Sequence, residues 1–192
     1  GYIKNIVAYY RREVDAALAV RPHLRRASAG ESIPDFTPDT AKSFTRGESE
    51  YFFAGKRPGV ASFDTPKAVG EYVGRVVRVE KNRFRLDRGG LLAAGDGICF
   101  LTDRGFAGTN VNAADGDCVT PNRMEGIVPG TEVYRNYDHR FNQLLERSRT
   151  RRVIPAAAVV TASAEGVTFR YTDCEGVAAV AERRIALELS LI

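Results

Sequence analysis

Short apolar and β-branched runs, separated by turn-forming residues, fill the middle of the chain from Gly70 to Asp138. The alternation is clearest over Arg83–Asp87, where Phe84 and Leu86 fall on one side of a strand and the charged residues fall on the other. Turn signals separate the runs at Lys81-Asn82, Gly95-Asp96-Gly97, Asp115-Gly116 and Pro129-Gly130. This pattern is typical of antiparallel β-structure, and it predicts one small closed β-barrel with a basic outer face.

The first strand of the predicted barrel departs from strict alternation. Val73, Val77 and Val79 are expected on one side of this strand. Gly74 and Val76 interrupt the period of two, and a glycine inside a strand often marks a bulge or a close approach of another backbone. We therefore expect an irregular strand near Gly74.

An amphipathic helix is predicted at the start of the chain, over residues 2–20. Its apolar residues recur at intervals of three and four, opposite a basic face. They are Ile3, Ile6, Val7, Tyr10, Val14, Ala17 and Leu18. Pro22 is expected to end the helix. The apolar stripe needs a surface to cover, which is either the core of this chain or a segment that precedes it.

The segment between this helix and the barrel is polar and rich in turn-forming residues. Residues 27–40 contain Ser, Gly, Pro and Asp, and they are predicted to be a linker. Thr37-Pro38 is expected to begin a short helix that carries Ala41 and Phe44. A basic turn is expected at Gly55-Lys-Arg-Pro-Gly59.

A helix and a second β-unit are predicted after the barrel. Asp138 is expected to cap a helix that continues to about Arg147. Three strands, over residues 153–162, 167–172 and 177–181, are expected to form a β-meander before an apolar tail that ends at Ile192. The predicted fold class is therefore mainly β with a few helices (α+β), with a small closed barrel and a meander.

The composition is that of a globular protein. Of the 192 residues, 44% are hydrophobic and 27% are charged. No apolar run approaches the roughly 20 residues that a membrane span requires, so no membrane partner is expected. The chain begins with Gly1 and its single methionine is Met124, so we expect it to be a fragment of a longer protein.

The three cysteines do not suggest a disulfide framework. Cys99, Cys118 and Cys174 are an odd number at wide spacing, and no C-x-x-C pair points to zinc binding or redox chemistry. Free thiols favour a reducing cytoplasm. Cys99 lies between Ile98 and Phe100 in a predicted strand, so it is expected to be a small core residue.

Basic residues are clustered although the net charge is only +4. One cluster lies on the first two predicted barrel strands. A second lies at and just after the end of the helix that Asp138 is expected to cap. The candidate anion-binding residues are Arg75, Arg78, Lys81, Arg83, Arg85, Arg147, Arg149, Arg151 and Arg152. Such clusters suit phosphate or another anionic surface. The alternative is an ordinary solvated face.

No catalytic motif is present. The chain has only two histidines and lacks both a G-x-S-x-G elbow and an H-E-x-x-H pair. Asp138-His139 falls at a predicted helix start, where capping is the expected role. No glycine-rich phosphate loop leads into a helix. We therefore predict no catalytic residue, no metal ligand and no cofactor in this chain.

A series of short motifs resembles one known family. In order they are Ser43-Phe-Thr-Arg-Gly47, Tyr51-Phe-Phe-Ala-Gly55, Ala61-Ser-Phe-Asp-Thr-Pro-Lys67, Val69-Gly70, Val73-Gly74, Gly95-Asp-Gly-Ile98, Asn110-Val-Asn112 and Pro129-Gly-Thr-Glu-Val-Tyr-Arg-Asn136. Over about residues 1–185 the chain resembles the collagenase-like peptidase family U32, in the region downstream of its catalytic barrel of β/α units. The segment 70–138 also resembles the barrel that forms domain II of translation elongation factors.

The resemblance implies a division into four regions. Residues 1–30 would contain the last helix of the upstream catalytic domain, and residues 31–69 would be a linker with a short helix. Residues 70–138 would be the barrel, and residues 139–192 would be a helix with a truncated meander. The upstream catalytic domain of the same polypeptide is then the expected partner.

The resemblance also implies two kinds of activity for the parent protein. Some members of the family are named as proteases, including collagen-directed ones, and related members act in hydroxylation of ribosomal or transfer RNA. The latter use an iron–sulfur site whose cysteines lie in the upstream domain, and none of Cys99, Cys118 and Cys174 matches them.

Three hypotheses for the function follow. The first is a non-catalytic accessory domain that aids RNA binding in an RNA-hydroxylating enzyme. The second is a domain that presents collagen or another protein to a protease, and the third is a structural spacer. Aromatic stacking partners are sparse near the predicted basic strands, with only Phe84, which is expected to face inward, so base-specific recognition of RNA is not expected.

Overall fold

This computed structural model describes residues 1–47, 49–55, 61, 63 and 65–184 of the chain. The predicted turn over residues 56–59 and the apolar tail over residues 185–192 lie outside these residues. The helices are α1 (Tyr2–Ala19) and α2 (His139–Arg147), with one 3-10 turn at Thr40–Lys42. The strands are β1 (Glu31–Ile33), β2 (Glu71–Val79), β3 (Phe84–Leu86), β4 (Gly97–Thr102), β5 (Gly105–Asp115), β6 (Cys118–Pro121), β7 (Glu132–Tyr137), β8 (Arg151–Val153), β9 (Ala156–Ser163), β10 (Gly166–Asp173) and β11 (Ala178–Arg183).

The chain divides into two compact units. The first comprises Gly1–Tyr10 and Phe36–Ser148, and the second comprises Arg11–Asp35 and Arg149–Ile192. The first unit contains the strands β2 to β7 and the helix α2. The second contains the remaining strands, and each unit is described separately below.

The first unit is built on a closed barrel with the strand order β2-β3-β6-β5-β4-β7, in which all neighbouring strands are antiparallel. The predicted mainly β fold with a closed barrel is therefore confirmed. The fully buried interior residues are Val73, Val76, Phe84, Ile98, Phe100, Val111, Val119 and Val133. Phe84 and Leu86 both face the core, as the alternation over Arg83–Asp87 predicts.

Strand β2 contains two bulges, and they correct one prediction. The pairing register shifts between Tyr72 and Gly74 and again between Val76 and Arg78. Val73 and Val76 are consequently both buried, whereas Val77 is 56% exposed. The prediction that Val77 lies on the same side as Val73 is wrong, because an extra residue in a bulge reverses the alternation that follows it.

Gly74 makes the first bulge possible. Its φ is +140°, a value that residues with a side chain rarely adopt, and a Cβ there would lie 2.7 Å from Oδ1 of Asp87. That oxygen accepts the backbone N–H of Arg75 at 2.8 Å. The expected irregularity near Gly74 is thus confirmed, and a carboxylate satisfies a backbone donor beside it.

A buried arginine joins the barrel to α2. Arg135 on β7 is 8% exposed, and its guanidinium lies 2.5 Å from Glu71 Oε2, 3.3 Å from Asp138 Oδ2 and 3.5 Å from Asp96 Oδ2. Asp138 caps α2, as predicted, by accepting the N–H of Phe141 at 2.8 Å. Because Asp96 also accepts the N–H of His139 at 2.9 Å, both carboxylates fix the start of α2 against the barrel.

The segment before the barrel differs from the prediction. Asp39, rather than Thr37, caps the turn at Thr40–Lys42 by accepting the N–H of Ala41 at 3.0 Å. This turn is a single 3-10 turn and not the expected short helix that reaches Phe44. Lys42 extends from it to Asp138 Oδ2 at 2.6 Å, so a tertiary ion pair holds this segment.

The second unit contains a two-stranded ribbon and a meander. The meander has the order β11-β10-β9, which confirms the predicted three-stranded arrangement. The predicted strand over residues 153–162 is instead divided at Ile154 and Pro155 into β8 and β9, because proline cannot donate a hydrogen bond to a sheet. Strand β1, in the stretch predicted to be a linker, pairs with β8.

Helix α1 confirms the predicted N-terminal helix, but its apolar stripe is exposed. Ile3 is 75% exposed, Val7 is 60% exposed and Tyr10 is 63% exposed. The buried residue of the helix is Asn5, whose side chain exchanges hydrogen bonds with the backbone of Asp39. Neither described helix is both long and apolar enough to span a lipid bilayer.

The bulges of β2 allow a test with two adjacent valines. Val76→Ala is expected to lower the free energy of unfolding by about 1.5–3 kcal/mol, because it leaves a cavity in the barrel core. Val77→Ala makes the same chemical change at an exposed position, and a loss of less than about 1 kcal/mol is expected. Urea unfolding followed by circular dichroism measures both losses, and equal losses would contradict the described register.

The ion pairs of Asp138 predict how stability depends on pH. Burial alone would raise the pKa of Asp138, but hydrogen bonds from Lys42 and the Phe141 N–H and the charge of Arg135 hold this pKa below its usual range. A carboxyl with a lowered pKa stabilises the fold above its unfolded pKa, and this contribution is lost as the pH falls below about 4. Lys42→Met should therefore be less stable than the wild type near neutral pH, with a difference that shrinks at low pH.

Urea unfolding at a series of pH values from 7 to 3 measures that difference. Lys67→Met is the matched control, because Lys67 is exposed and makes no described side-chain contact. Its stability should follow the wild type at every pH. A Lys42→Met difference that stays constant with pH would show that the ion pair with Asp138 does not stabilise the fold.

Candidate nucleic-acid interface

Five of the predicted anion-binding residues lie on one hairpin of the barrel. Arg75 and Arg78 are on β2, Lys81 is in the turn, Arg83 precedes β3 and Arg85 is on β3. Arg78 and Arg85 are directly opposite each other across the two strands. We call these five residues the β2–β3 basic cluster. The four arginine side chains are between 40% and 72% exposed, so they face solvent.

Carboxylates lie among these bases. Glu80 is the centre of one group, with Oε2 2.5 Å from Arg83 Nε and with Oε1 3.8 Å from Arg78 Nε and 3.9 Å from Arg85 Nε. Asp117 lies 2.9 Å from Arg85 NH1. Arg75 is paired separately, with Glu132 at 2.7 Å. Asp87 accepts the backbone N–H of Arg75, so the cluster has five bases against four carboxylates and only a small positive excess remains.

The ion pairs of the cluster are easily exchanged. The hydrogen bond from Arg83, followed by the charges of Arg83, Arg78 and Arg85, holds the pKa of Glu80 below its usual range, so this carboxylate stays ionised near neutral pH. Ion pairs that are exposed to solvent add little net stability, because water solvates both partners and each long side chain loses rotamer freedom. A phosphate group can therefore replace Glu80 as the partner of these arginines.

The arginine run after α2 is divided between two elements. Arg147 is exposed in the last turn of α2 and belongs to the first unit, whereas Arg149, Arg151 and Arg152 belong to the second. Arg152 donates to Ser28 Oγ at 3.1 Å and to the Ala29 carbonyl. Arg151 and Arg152 are exposed on β8. The run therefore does not lie on a single helix or strand.

Aromatic residues that the sequence analysis missed lie beside the cluster. Tyr72 on β2 is directly opposite Tyr134 on β7, with ring centroids 5.5 Å apart and an interplanar angle of 61°. The guanidinium of Arg88 lies 5.2 Å from the centroid of the Tyr72 ring. Tyr134 donates to Glu132, the same carboxylate that pairs with Arg75. The sequence signal was present in the β2 pattern, but the partner strand is some 60 residues away in the chain.

The described residues offer no metal centre. No group of three or more His, Cys, Asp or Glu side chains is close enough to hold a metal ion in the part of the chain that the structure describes. Cys99 is buried on β4, Cys118 is half-buried on β6, and Cys174 is exposed in the second unit. The three cysteines therefore lie in three different parts of the described chain.

Comparison with known proteins found one informative likeness. No family model matches the chain, and no solved structure matches it. The chain is 34% identical over 186 residues to a protein of Escherichia coli (strain K12) named 23S rRNA 5-hydroxycytidine C2501 synthase. The match covers 92% of this chain and spans 28% of the length of that relative.

The burial of Cys99 predicts a difference in thiol reactivity. Burial raises the pKa of Cys99 to about 11, and its side chain is 3.3 Å from the Val69 carbonyl oxygen. The reactive species is the thiolate, so Cys99 should resist alkylation by iodoacetamide at pH 7.5 until the barrel unfolds. The exposed Cys174 serves as the control in the same chain and should react readily. Peptide mass spectrometry measures both, and equal labelling would contradict the described burial.

Over nearly its whole length, this chain is thus similar to a little over a quarter of an rRNA hydroxycytidine synthase.

Proposed function

We propose that this chain is a non-catalytic accessory part of an RNA-hydroxylating enzyme of the collagenase-like peptidase family U32, and that it binds RNA. The observation that carries the proposal is the β2–β3 basic cluster, five exposed bases on one hairpin. The likeness to an rRNA-modifying relative supports RNA as the polyanion. The order of motifs along the chain supports the family.

The cluster would bind RNA through its phosphates. Arg78 has the most exposed side chain of the four arginines, at 72%, and its ion pair with Glu80 is a loose one, at 3.8 Å. It is therefore the first group that an approaching phosphate would meet. Lys and Arg contacts to phosphate release counterions and carry no sequence information, so binding would be salt-dependent and would not depend on sequence.

The hydroxylation itself is assigned to another part of the parent protein. The three cysteines of this chain lie on different elements, and the described carboxylates of the cluster are each paired with arginine. The preceding catalytic domain of the same polypeptide is the proposed partner. In this arrangement the barrel would hold RNA while the catalytic domain acts on one of its bases.

Binding of a structured RNA across a range of salt concentrations tests the proposal. The affinity is expected to fall steeply with salt, and Arg78→Gln should reduce the slope of log K against log salt by about 1. Arg140→Gln is the matched control, because Arg140 is exposed on α2 and lies outside the predicted set. It should leave the slope unchanged.

Removal of the Glu80 carboxylate should have the opposite effect on RNA binding to removal of the Arg78 charge. Glu80→Gln releases three arginines from their shared partner, so it should increase the affinity for RNA at low salt and make the salt dependence steeper. Fluorescence anisotropy with a labelled RNA hairpin measures the effect. An absence of binding at low salt would overturn the proposal. Binding to gelatin instead would favour the protein-presenting alternative, and binding to neither would favour the structural spacer.

A further inference from the structure

An aromatic pocket lies on the outside of the barrel, beside the β2–β3 basic cluster. It has a volume of about 430 Å³, within the range of small-ligand sites. We call it the aromatic pocket. Its lining includes Tyr72, Tyr134, Phe106, Val69, Gly70 and Arg46. All of these residues belong to the first unit.

The strand pairing places the two tyrosines of the pocket side by side. Tyr72, Tyr134, Cys99 and Gly108 are successive partners across β2, β7, β4 and β5, so they form one row across the sheet. Tyr72 and Tyr134, at one end of this row, line the pocket. Phe106, two residues before Gly108 on β5, is half-buried and forms the far side of the pocket.

Val69 and Gly70 pass over this row and form one wall of the pocket, and their contacts hold this wall in place. The Val69 N–H donates to the Thr45 carbonyl at 2.8 Å, and the Cys99 thiol lies 3.3 Å from the Val69 carbonyl oxygen. Gly70 has a φ of +80°, and a Cβ there would lie 2.0 Å from the Arg135 carbonyl oxygen. The pocket is therefore formed before any ligand arrives.

The charges around the pocket favour an anionic ligand with a planar group. Arg88 covers part of the Tyr72 ring, and Arg46, which lines the pocket, has its guanidinium 5.6 Å from the centroid of the Phe44 ring. Neither arginine has a carboxylate partner among the described residues. Glu71 also lines the pocket, but it is engaged with Arg135, and Glu132 is engaged with Arg75. The pocket thus combines aromatic faces with guanidinium groups, which is the chemistry that binds stacked bases.

We propose that the aromatic pocket holds one nucleobase of a single-stranded RNA segment whose phosphates lie along the β2–β3 basic cluster. The inference rests on the proposed function and adds a second kind of contact to it. Tyr72, Arg75 and Arg78 follow one another along the outer face of β2, and six residues of strand span roughly 20 Å. A short RNA strand can cover that distance with a base in the pocket and its backbone on the arginines.

The polar groups of the pocket indicate how the base is bound. The Tyr134 hydroxyl donates to Glu132 at 3.1 Å, and the Thr45 carbonyl oxygen accepts from Val69 and Gly70. Because these groups are already hydrogen-bonded, the base is held by stacking rather than by hydrogen bonds to its edge. Stacking of this kind tolerates every base, so the pocket selects unpaired RNA and not a particular sequence.

Binding of a labelled 12-nucleotide single-stranded RNA to the whole chain tests the inference. Tyr134→Leu removes the aromatic face and should weaken binding about tenfold, while the slope of log K against log salt stays unchanged because no phosphate contact is lost. Tyr134→Phe keeps the ring and should bind like the wild type. Tyr137→Leu makes the same change on the same strand outside the pocket and should also bind like the wild type.

Two further ligands distinguish the contribution of base stacking to binding from the contribution of charge. Heparin is a polyanion without bases, so the wild type and Tyr134→Leu should bind it equally. An RNA of the same length with abasic sites should bind both proteins equally and more weakly than intact RNA. Thermal unfolding of each variant confirms that the barrel is intact.

The possible failures of the two proposals are distinguishable. If arginine variants alter the salt slope but Tyr134→Leu binds RNA like the wild type, the pocket inference is wrong and the proposed function stands. If Tyr134→Leu weakens heparin and RNA binding equally, the aromatic ring acts on charge or folding and not on a base, which also overturns the inference. If the wild type does not bind RNA at low salt, both proposals fail.

Discussion

The first unit depends on one buried guanidinium, that of Arg135. A charge with 8% exposure is costly unless carboxylates and hydrogen bonds replace its water, and here Glu71, Asp96 and Asp138 do so together with the Leu91 carbonyl oxygen. The negative excess of three carboxylates is reduced by Lys42, which lies 2.6 Å from Asp138. This network thereby connects two barrel strands, the turn before β4, the 3-10 turn and the start of α2. Such a network is sensitive to loss of any member, because each loss leaves a buried charge without its partner.

This network has a consequence for the outer face of the barrel. Glu71 and Tyr72 are adjacent on β2, and they pair with Arg135 and Tyr134 across β7. Arg135, which carries the buried charge, is therefore next to Tyr134, which lines the aromatic pocket. The first bulge of β2 follows immediately, and it places Arg75 on the outside within the same strand. A buried charge cluster inside and the proposed RNA-binding surface outside thus depend on the same few residues of β2.

Carboxylates that lie among the bases partly neutralise the positive charge of the β2–β3 basic cluster. Glu80, Asp117 and Glu132 each pair with an arginine of the β2–β3 basic cluster, so the arginines are held in position without being neutralised completely. A polyanion must displace these carboxylates, which lowers its affinity and makes binding reversible. With a base bound as we propose, the aromatic pocket would supply stacking contacts that salt does not screen. The combination suits a surface that holds RNA transiently while another domain acts on it.

Elements with short-range signals could be predicted from the sequence alone. Alternation over Arg83–Asp87 and the turn residues around it are properties of neighbouring residues, and the barrel, the capped helix α2 and the meander were all predicted from such patterns. Pro155 is also a local signal, because a proline in a predicted strand indicates the break between β8 and β9. The candidate bases on β2 and β3 could be named from the sequence because they are close together in the chain.

Long-range contacts in the folded chain determine which of these residues act together. The bulges that bury Val76 and expose Val77 depend on a partner strand and on Asp87, and neither is visible in the β2 pattern. The pairing of Tyr72 with Tyr134 and the placement of carboxylates among the arginines join residues far apart in the chain. Periodicity reports the side of a strand on which a residue lies, but barrel closure and register determine what it meets there, because they depend on packing over the whole chain.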